Sequence, residues 1–227
     1  MLKALFNLFF PKLCVGCKTP LLTAETILCV ACAHNLPLTQ FHAQQPKVLK
    51  DVFYGQIVFE NATALFYFHK QGISQQLIHQ LKYKGNQKIG VYLGEWLASE
   101  IKQQPQYQQI EVVIPVPIHK KRMQQRGYNQ VAKFGEILAE HLNAVYNDTL
   151  LLRVKNTKSQ AFKDKITRSK DVATVFQAID FTTLKGKHIL LVDDVITTGA
   201  TIIACAQQLQ KTPDIKLSLA VMAYTEK

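Results

Sequence analysis

Ile189-Leu190-Leu191-Val192-Asp193-Asp194-Val195-Ile196-Thr197-Thr198-Gly199-Ala200-Thr201 is the stretch of this chain whose reading decides the fold. Ile189 to Val192 are apolar without interruption, the pattern of a strand buried on both faces of a parallel sheet. Asp193 and Asp194 follow where that strand is expected to run out, facing solvent. Thr197 to Thr201 are small and hydroxyl-rich, and they open onto a helical pattern running through Leu209. A strand, a small-residue turn and a helix N-terminus together make an anion site, because the orphan amides of the first turn point outward along the helix dipole. The threonine hydroxyls add donors, and Gly199 lets backbone approach a phosphate closely. The carboxylates cannot hold that phosphate and need another partner, either vicinal hydroxyls or a divalent metal. A phosphate held beside two hydroxyl-seeking acids describes a ribose 5-phosphate.

The same thirteen residues resemble the 5-phosphoribosyl-1-pyrophosphate (PRPP) motif of type I phosphoribosyltransferases. That resemblance implies an acidic pair on the ribose hydroxyls and a Thr/Gly loop on the 5-phosphate. A response-regulator receiver also ends an apolar strand in two aspartates, but it then needs three further strands carrying its catalytic groups. Only 34 residues follow Asp193, too few for that reading.

Working outward, the 227 residues allow one domain of ordinary size plus a smaller module, and 48% apolar content is that of a globular protein. No apolar run reaches the roughly 18 residues that span a bilayer. The opening MLKALFNLFFPKL is short, broken by Asn7 and Pro11, and followed by Cys14-Val15-Gly16-Cys17 instead of a small-residue cleavage site. It is expected to be a short helix covering the core, in a cytoplasmic protein. Net charge is +11 and regional: residues 111–170 hold twelve Lys/Arg against five Asp/Glu, whereas residues 171–227 hold five against six. Such an excess suits a polyanion, pyrophosphate or nucleic acid, or else a solvated face.

Four of the five cysteines lie at Cys14-x-x-Cys17 and Cys29-x-x-Cys32 with eleven residues between the pairs. Two such knuckles are the pattern of a four-thiolate tetrahedral zinc site. A thioredoxin-type redox pair needs one CxxC at a strand-to-helix junction, not two. Residues 1–40 are therefore expected to form a ribbon folded by its metal, and residues 41–60, with Gln44-Gln45-Pro46, a linker. Cys205 stands alone on the apolar face of the helix after the Thr/Gly turn, as a buried small hydrophobe.

Residues 61–227 read as alternating strands and helices. Ala62 to Phe68 is a strand; Ser74 to Gly85 carries helical spacing through Leu77, Ile78 and Leu81; a second helix runs from about Ile89 to Lys102. Ile110 to Val116 is a near-continuously apolar strand stiffened at its end by Pro115 and Pro117. Then comes a cationic loop, His119 to Gly127, with Lys120, Lys121, Arg122 and Arg126, before a helix from Tyr128 to Leu142. Leu150 to Val154 is another short strand, Lys155 to Lys170 a long polar loop of the kind that forms lids, and Leu217 to Tyr224 the last strand.

The combination resembles the ComF/GntX-type proteins, in which a double-CxxC zinc module precedes a phosphoribosyltransferase domain. The residues that carry the likeness are the four cysteines, Leu81-Lys82-Tyr83, Ile114-Pro115-Val116-Pro117, Arg126-Gly127-Tyr128-Asn129-Gln130 and Ile189 to Thr201. Lys170-Asp171 departs from an Arg-Asn pattern in relatives, while Arg168 and Phe176 keep to it. The resemblance implies an α/β fold with the mainly parallel central sheet of type I phosphoribosyltransferases, and a role in DNA uptake and natural transformation. It implies PRPP as ligand, bound by Asp193, Asp194, Thr197, Thr198, Gly199, Ala200, Thr201, Lys82 and Arg126, with Asp193 and Asp194 as the catalytic pair that positions ribose. Structural Zn2+ on Cys14, Cys17, Cys29 and Cys32, and Mg2+ accompanying PRPP, complete its cofactors. Its implied partners are incoming single-stranded DNA and other DNA-uptake or recombination proteins, and the +7 excess over residues 111–170 puts the DNA on Lys120, Lys121 and Arg122, with help from Lys12 and Lys18. Two classes of function stand open on the sequence: a glycosyltransferase that displaces pyrophosphate from PRPP, and a PRPP-sensing or DNA-binding protein without turnover.

Overall fold

The protein is described from a computed structural model covering residues 10–44, 47–154, 175–179 and 182–226. The expected N-terminal helix and the lid over Lys155 to Lys170, with Arg168, Lys170 and Asp171, fall outside these residues. In chain order the helices α1 (Val30–His34), α2 (Phe41–Gln44) and α3 (Lys47–Phe53) precede β1 (Ala62–Tyr67). Then come α4 (Ile73–Tyr83), α5 (Lys88–Ile101), β2 (Val112–Pro115), α6 (Lys120–Arg126), α7 (Ala132–Leu142), β3 (Val145–Tyr146) and β4 (Leu151–Arg153). The chain ends with β5 (Phe176–Ala178), β6 (His188–Ile196), α8 (Ala200–Leu209) and β7 (Lys216–Tyr224).

Five strands form one sheet in the order β1-β7-β6-β2-β3, and every pairing in it is parallel. β6 sits at the centre, in register with β2 from Val112↔Ile189 to Pro115↔Val192 and with β7 from His188↔Lys216 to Ile196↔Tyr224. Its side chains alternate between two cores, as a period of two requires. Leu190 and Val192 join Val113, Ala220 and Met222 under α4, α5 and α7. Ile189 and Leu191 join Ile114, Leu219 and Val221 under α3, α8 and the β4–β5 pair. The uninterrupted apolar run is therefore explained by burial on both faces. Close approach of α5 and α7 depends on glycine: a Cβ at Gly94 would lie 2.9 Å from Ile137 Cβ and 3.2 Å from the Phe134 carbonyl oxygen.

The structure corrects several expectations. β6 does not stop at Val192; it continues through both aspartates to Ile196, because β7 keeps pairing alongside it. Residues 41–60 are not an extended linker. They carry α2 and α3, and Phe41, Leu49, Phe53 and Ile57 are buried in the second core. The approach to them runs beside β1, with Thr39 N donating to Leu65 O at 3.0 Å and Tyr67 N to Pro37 O at 2.8 Å. That run shields an otherwise open edge strand. The His119–Gly127 segment is not a loop but the helix α6, whose first turn is capped by His119 Nδ1 accepting from Lys121 N at 3.1 Å. It stops at Gly127, in the left-handed region at φ 76°. The helix expected from Tyr128 begins at Ala132. β4 pairs antiparallel with β5 in a separate two-stranded ribbon instead of joining the central sheet, and β3, only two residues long, was not anticipated.

The four-cysteine module is not a separate body either. Cys14, Val15, Ile27, Leu28 and Cys32 belong to the same buried cluster as Leu77, Ile78 and Leu81 of α4. Among the described residues no helix is long and apolar enough to cross a membrane.

Candidate functional site

Asp193 and Asp194 occupy the carboxyl end of the central strand, and both are buried, at 9% and 6% exposure. The solvent-facing position expected for them does not hold, because α4 and the Asn129-Gln130 turn close over the strand end. Asp194 is compensated on both oxygens: Oδ1 lies 2.8 Å from Lys82 Nζ, and Oδ2 accepts from Gln130 Nε2 at 2.7 Å. Gln130 Oε1 in turn accepts from Arg126 Nη1 at 2.6 Å, and the Arg126 guanidinium stands 5.3 Å over the Tyr83 ring. A relay of alternating donors and acceptors thus runs Lys82–Asp194–Gln130–Arg126. Tyr128 hydroxyl donates to the Leu81 carbonyl, and Asn129 Nδ2 donates to Val116 O at 3.0 Å, so the turn before α7 is tied to α4 and to the end of β2.

Asp193 has no such cation. Its Oδ1 accepts the Asp194 backbone N–H at 2.8 Å, while burial and the neighbouring Asp194 charge push its carboxyl up to about 8. The pair is therefore unequal: Asp194 is paired with Lys82 and Gln130, whereas the Asp193 carboxyl is held well above its ordinary value.

Beyond the strand, Thr197, Thr198, Ala200 and Thr201 are exposed and Gly199 is buried in the left-handed region at φ 77°. A Cβ there would lie 2.8 Å from Val52 Cγ1 and 3.1 Å from Phe53 Cε1 of α3, so glycine is demanded twice, by backbone angle and by contact. The turn leads directly into the first residues of α8, where free amides are expected.

Beside the acidic pair lies a cavity of about 300 Å³ lined by Lys82, Tyr83, Arg122, Gln125, Arg126 and Tyr128. It unites Lys82 and Arg126, anticipated for PRPP, with Arg122, anticipated for DNA. Lys120 and Lys121 are exposed on the same helix and do not line it. Lys18 Nζ is engaged by the Val15 carbonyl at 2.6 Å, whereas Lys12 is exposed. Sequence reasoning missed Gln130 as a ligand of Asp194, although its i,i+4 spacing from Arg126 was visible inside Arg126-Gly127-Tyr128-Asn129-Gln130.

The sulfurs of Cys14, Cys17, Cys29 and Cys32 all lie within 4.8 Å of one another. Cys17 and Cys29 Sγ are 3.6 Å apart, close to the edge of about 3.8 Å of a tetrahedron with metal–sulfur bonds of about 2.3 Å. A Cβ on Gly16 would come within 2.8 Å of Cys32 Sγ, so the first knuckle closes only around glycine. The Thr19 hydroxyl holds the Cys17 thiol down to about 6, while burial pushes Cys32 up to about 12. The donor set fits a structural metal such as zinc, whose charge would ionise the buried thiols outright.

No family model matches the chain. Curated relatives do: the DNA utilization protein YhgH of Shigella flexneri is 26% identical over 217 residues, covering 88% of this chain and 91% of that protein. Competence protein F of Haemophilus influenzae is 32% identical over 102 residues, 44% of each chain. Competence protein ComFC of Bacillus subtilis is 34% identical over 91 residues, 40% of this chain and 35% of that one. Among solved structures, adenine phosphoribosyltransferase from Saccharomyces cerevisiae aligns over 82% of this chain and 89% of its own at 14% identity and a TM-score of 0.38. The expected resemblance to ComF/GntX-type proteins is borne out by these homologues and by the four-cysteine cluster.

Elemental analysis of the purified protein should find one metal ion per chain. Because the module shares its core with α4, stripping that ion with a chelator should lower the thermal midpoint of the whole protein, not of the module alone. A metal-free preparation with an unchanged midpoint would remove the metal from the fold.

The Asp193 carboxyl generates a pH prediction. Its ordinary value is 3.8 and its folded value about 8, so between these the native state binds the extra proton. Stability from this group is full below the lower value and is lost as pH rises towards the upper one, by up to about 1.4 kcal/mol per pH unit. Asp193→Asn should flatten that slope in urea denaturation between pH 5 and 7; parallel profiles for the two proteins would place the raised group elsewhere.

Proposed function

We propose that this homologue of DNA-utilization and competence proteins binds PRPP with magnesium at the carboxyl edge of its central sheet and acts as a phosphoribosyltransferase-type protein in DNA uptake. The observation that carries the reading is the compensated Asp194, held between Lys82 and Gln130 directly before the Thr197–Thr201 turn. The turn's hydroxyls and amides would take the 5-phosphate. The acidic pair would take the ribose hydroxyls, and Lys82, Arg126 and Arg122 would face the pyrophosphate. Magnesium would supply charge neutralisation on the leaving pyrophosphate.

In such a transfer a nitrogen nucleophile bonds to C1 of ribose as the C1–O bond to pyrophosphate breaks with its electron pair on the leaving group. The nucleophile's proton passes to solvent. Positive charge develops on the ring, and a carboxylate beneath it is stabilising. The Lys82–Asp194 contact gives the resting site a function of its own: it keeps a buried carboxylate paired until a ligand arrives, then frees an ammonium for phosphate oxygens. The same reading takes the four cysteines as a structural zinc site, residues 1–40 as its module, residues 41–60 as the connecting segment and residues 61–227 as the phosphoribosyltransferase-like domain, in a cytoplasmic protein.

Calorimetry with magnesium and PRPP tests the reading. The native protein should bind, and Asp194→Asn, which keeps the shape of the side chain, should bind about ten- to a hundredfold more weakly through loss of a charge-assisted hydrogen bond. Equal affinity would take the acidic pair out of the site, and pyrophosphate release during the same titrations separates an enzyme from a sensor.

The regional positive charge and the DNA-related names of the relatives support a second activity, weak binding of single-stranded DNA along α6. Lys120, Lys121 and Arg122 are all exposed there, with the Tyr83 ring exposed beside them for stacking. In a gel-shift titration log K should fall by about 0.7 for each phosphate neutralised as log salt rises. Reversing the three charges should abolish the shift, and PRPP should compete because Arg122 faces the cavity shared with Lys82. A shift indifferent to those charges would move DNA to another face.

A further inference from the structure

The carboxyl ends of β1 and β7 carry an aromatic cluster that the binding of PRPP does not use. Tyr67 closes β1 and His69 follows two residues later, with their rings parallel to within 9° and the centroids 6.3 Å apart. Tyr67 is half-buried and His69 is exposed. The Tyr67 ring meets Phe41 of α2 edge-on at 5.6 Å and Tyr224 of β7 at 6.2 Å. His69 is fixed through its backbone: its N–H donates to Ser74 Oγ at 2.9 Å, and its carbonyl accepts from the same hydroxyl at 3.3 Å. Packing of α2 accounts for Phe41 and Tyr224, which are buried. It does not call for a second ring laid parallel to Tyr67 on the solvent side. Strand register places the cluster on the functional edge of the sheet. Tyr67 pairs with Tyr224, and Tyr224 with Ile196, the residue before the Thr197–Thr201 turn. Tyr67 therefore stands two strands, about 10 Å, from the start of that turn. It also packs on the same core as Phe53, whose ring lies against Gly199 of the turn.

We infer that Tyr67 and His69 form the platform on which the acceptor of the ribosyl group stacks, so that the acceptor is a planar nitrogen heterocycle; the inference rests on the phosphoribosyl reading above. The direction of the reaction links the two sites. The cavity of Lys82, Arg122 and Arg126 that faces the pyrophosphate is tied to the end of β2, through Asn129 Nδ2 on Val116 O. β2 flanks β6 on one side, and β7 with β1 on the other. A nucleophile that displaces pyrophosphate in one step enters C1 from the face opposite the leaving group. With pyrophosphate towards β2, that face looks towards β7 and β1. The ring nitrogen bonds to C1 as the C1–O bond breaks with its electron pair on pyrophosphate, and the nitrogen's proton passes to solvent. What the protein presents on the entering side is a pair of aromatic faces. Such faces favour flat π-systems over aliphatic amines, and they tolerate different heterocycles because each has a π-face. Tyr67 is held by Phe41 and Tyr224 before any ligand arrives, so stacking on it costs little ordering.

Calorimetry on the full-length protein tests this, with and without magnesium and ribose 5-phosphate, a sugar that has no leaving group to displace. Adenine, hypoxanthine, uracil and cytosine serve as planar probes, and glycine and ammonium as non-aromatic amines. At least one heterocycle should bind at least about tenfold more tightly than either amine. His69→Ala, which leaves the backbone bonds to Ser74 in place, should weaken that heterocycle about five- to a hundredfold, while PRPP affinity stays within about twofold. Tyr67→Ala should act in the same direction. Tyr67→Phe and His69→Phe, which keep a ring, should retain most of the binding, so a loss with Ala but not with Phe separates stacking from a damaged fold. Absence of binding by all four heterocycles, equal affinity for the amines, or binding untouched by both Ala substitutions would each overturn the platform. Ring-dependent heterocycle binding by a protein that takes neither ribose 5-phosphate nor PRPP would overturn the phosphoribosyl reading and leave the platform standing.

Discussion

A carboxylate pair inside a parallel sheet is an electrostatic problem, and much of this molecule is arranged around solving it. Asp193 and Asp194 lie inside the strand that both cores are built on, near its carboxyl end, so they cannot be moved outward without disturbing β2 and β7. Two adjacent buried charges would repel and would each lose hydration. The solution is asymmetric. One acid meets Lys82 and Gln130, and the other, without a cation of its own, has its carboxyl pushed up by burial and by its neighbour. That division ties three distant pieces of sequence together: the end of α4, the turn before α7 and the end of β6. Remove Lys82 and the buried charge on Asp194 stands uncompensated, a larger loss than an exposed ion pair of the same length would bring.

The N-terminal module enters the same arrangement from outside. Its apolar residues pack against Leu77 and Ile78, on the helix whose last turn carries Lys82. A structural metal holding Cys14, Cys17, Cys29 and Cys32 would therefore do more than fold a small ribbon. It would support α4 from behind, one to two turns from Lys82. Gln76 of that helix faces the carbonyls of Val15 and Gly16 with its amide group, a polar seam inside the apolar contact.

How much of this was legible in the residues follows from which signals are local. Leu190 and Val192 announce a central strand because burial on both faces leaves no polar position, and the two CxxC knuckles announce a metal because spacing alone constrains the thiols. That Asp193, Asp194, Lys82 and Arg126 belong to one site was implied by the resemblance to ComF/GntX-type proteins, whose motifs these residues carry. The burial of the acids was not, since it depends on Asn129 and Gln130 folding back over the strand, a tertiary event. His119 to Gly127 resembles a loop because it holds Lys and Arg and no apolar stripe. Yet a helix lying on the surface with nothing buried needs only a cap at His119 and a stop at Gly127. Residues 41–60 misled for the opposite reason. Gln44-Gln45-Pro46 reads as a break, and Leu49, Phe53 and Ile57, spaced by four, had too short a run to declare a helix.

That last segment bears on the phosphate turn more than its position in the chain suggests. Gly199 must be glycine for its backbone angle, but the space that a Cβ would occupy is already filled by Val52 and Phe53. The turn is thus clamped between the end of β6 and α3, and a helix from residues far ahead of the sheet helps to fix the amides that lead into α8. An anion site built from backbone donors works by preorganisation, since donors that must reorient on binding lose part of what they contribute. Packing α3 on Gly199 restrains the turn without spending a side chain inside the site. The exposed hydroxyls of Thr197, Thr198 and Thr201 stay free to face a ligand, while the rigid part of the turn is held from the core side. The order of the chain has the same logic: it runs from the metal module along the edge of β1 and places α3 behind the turn before the sheet begins.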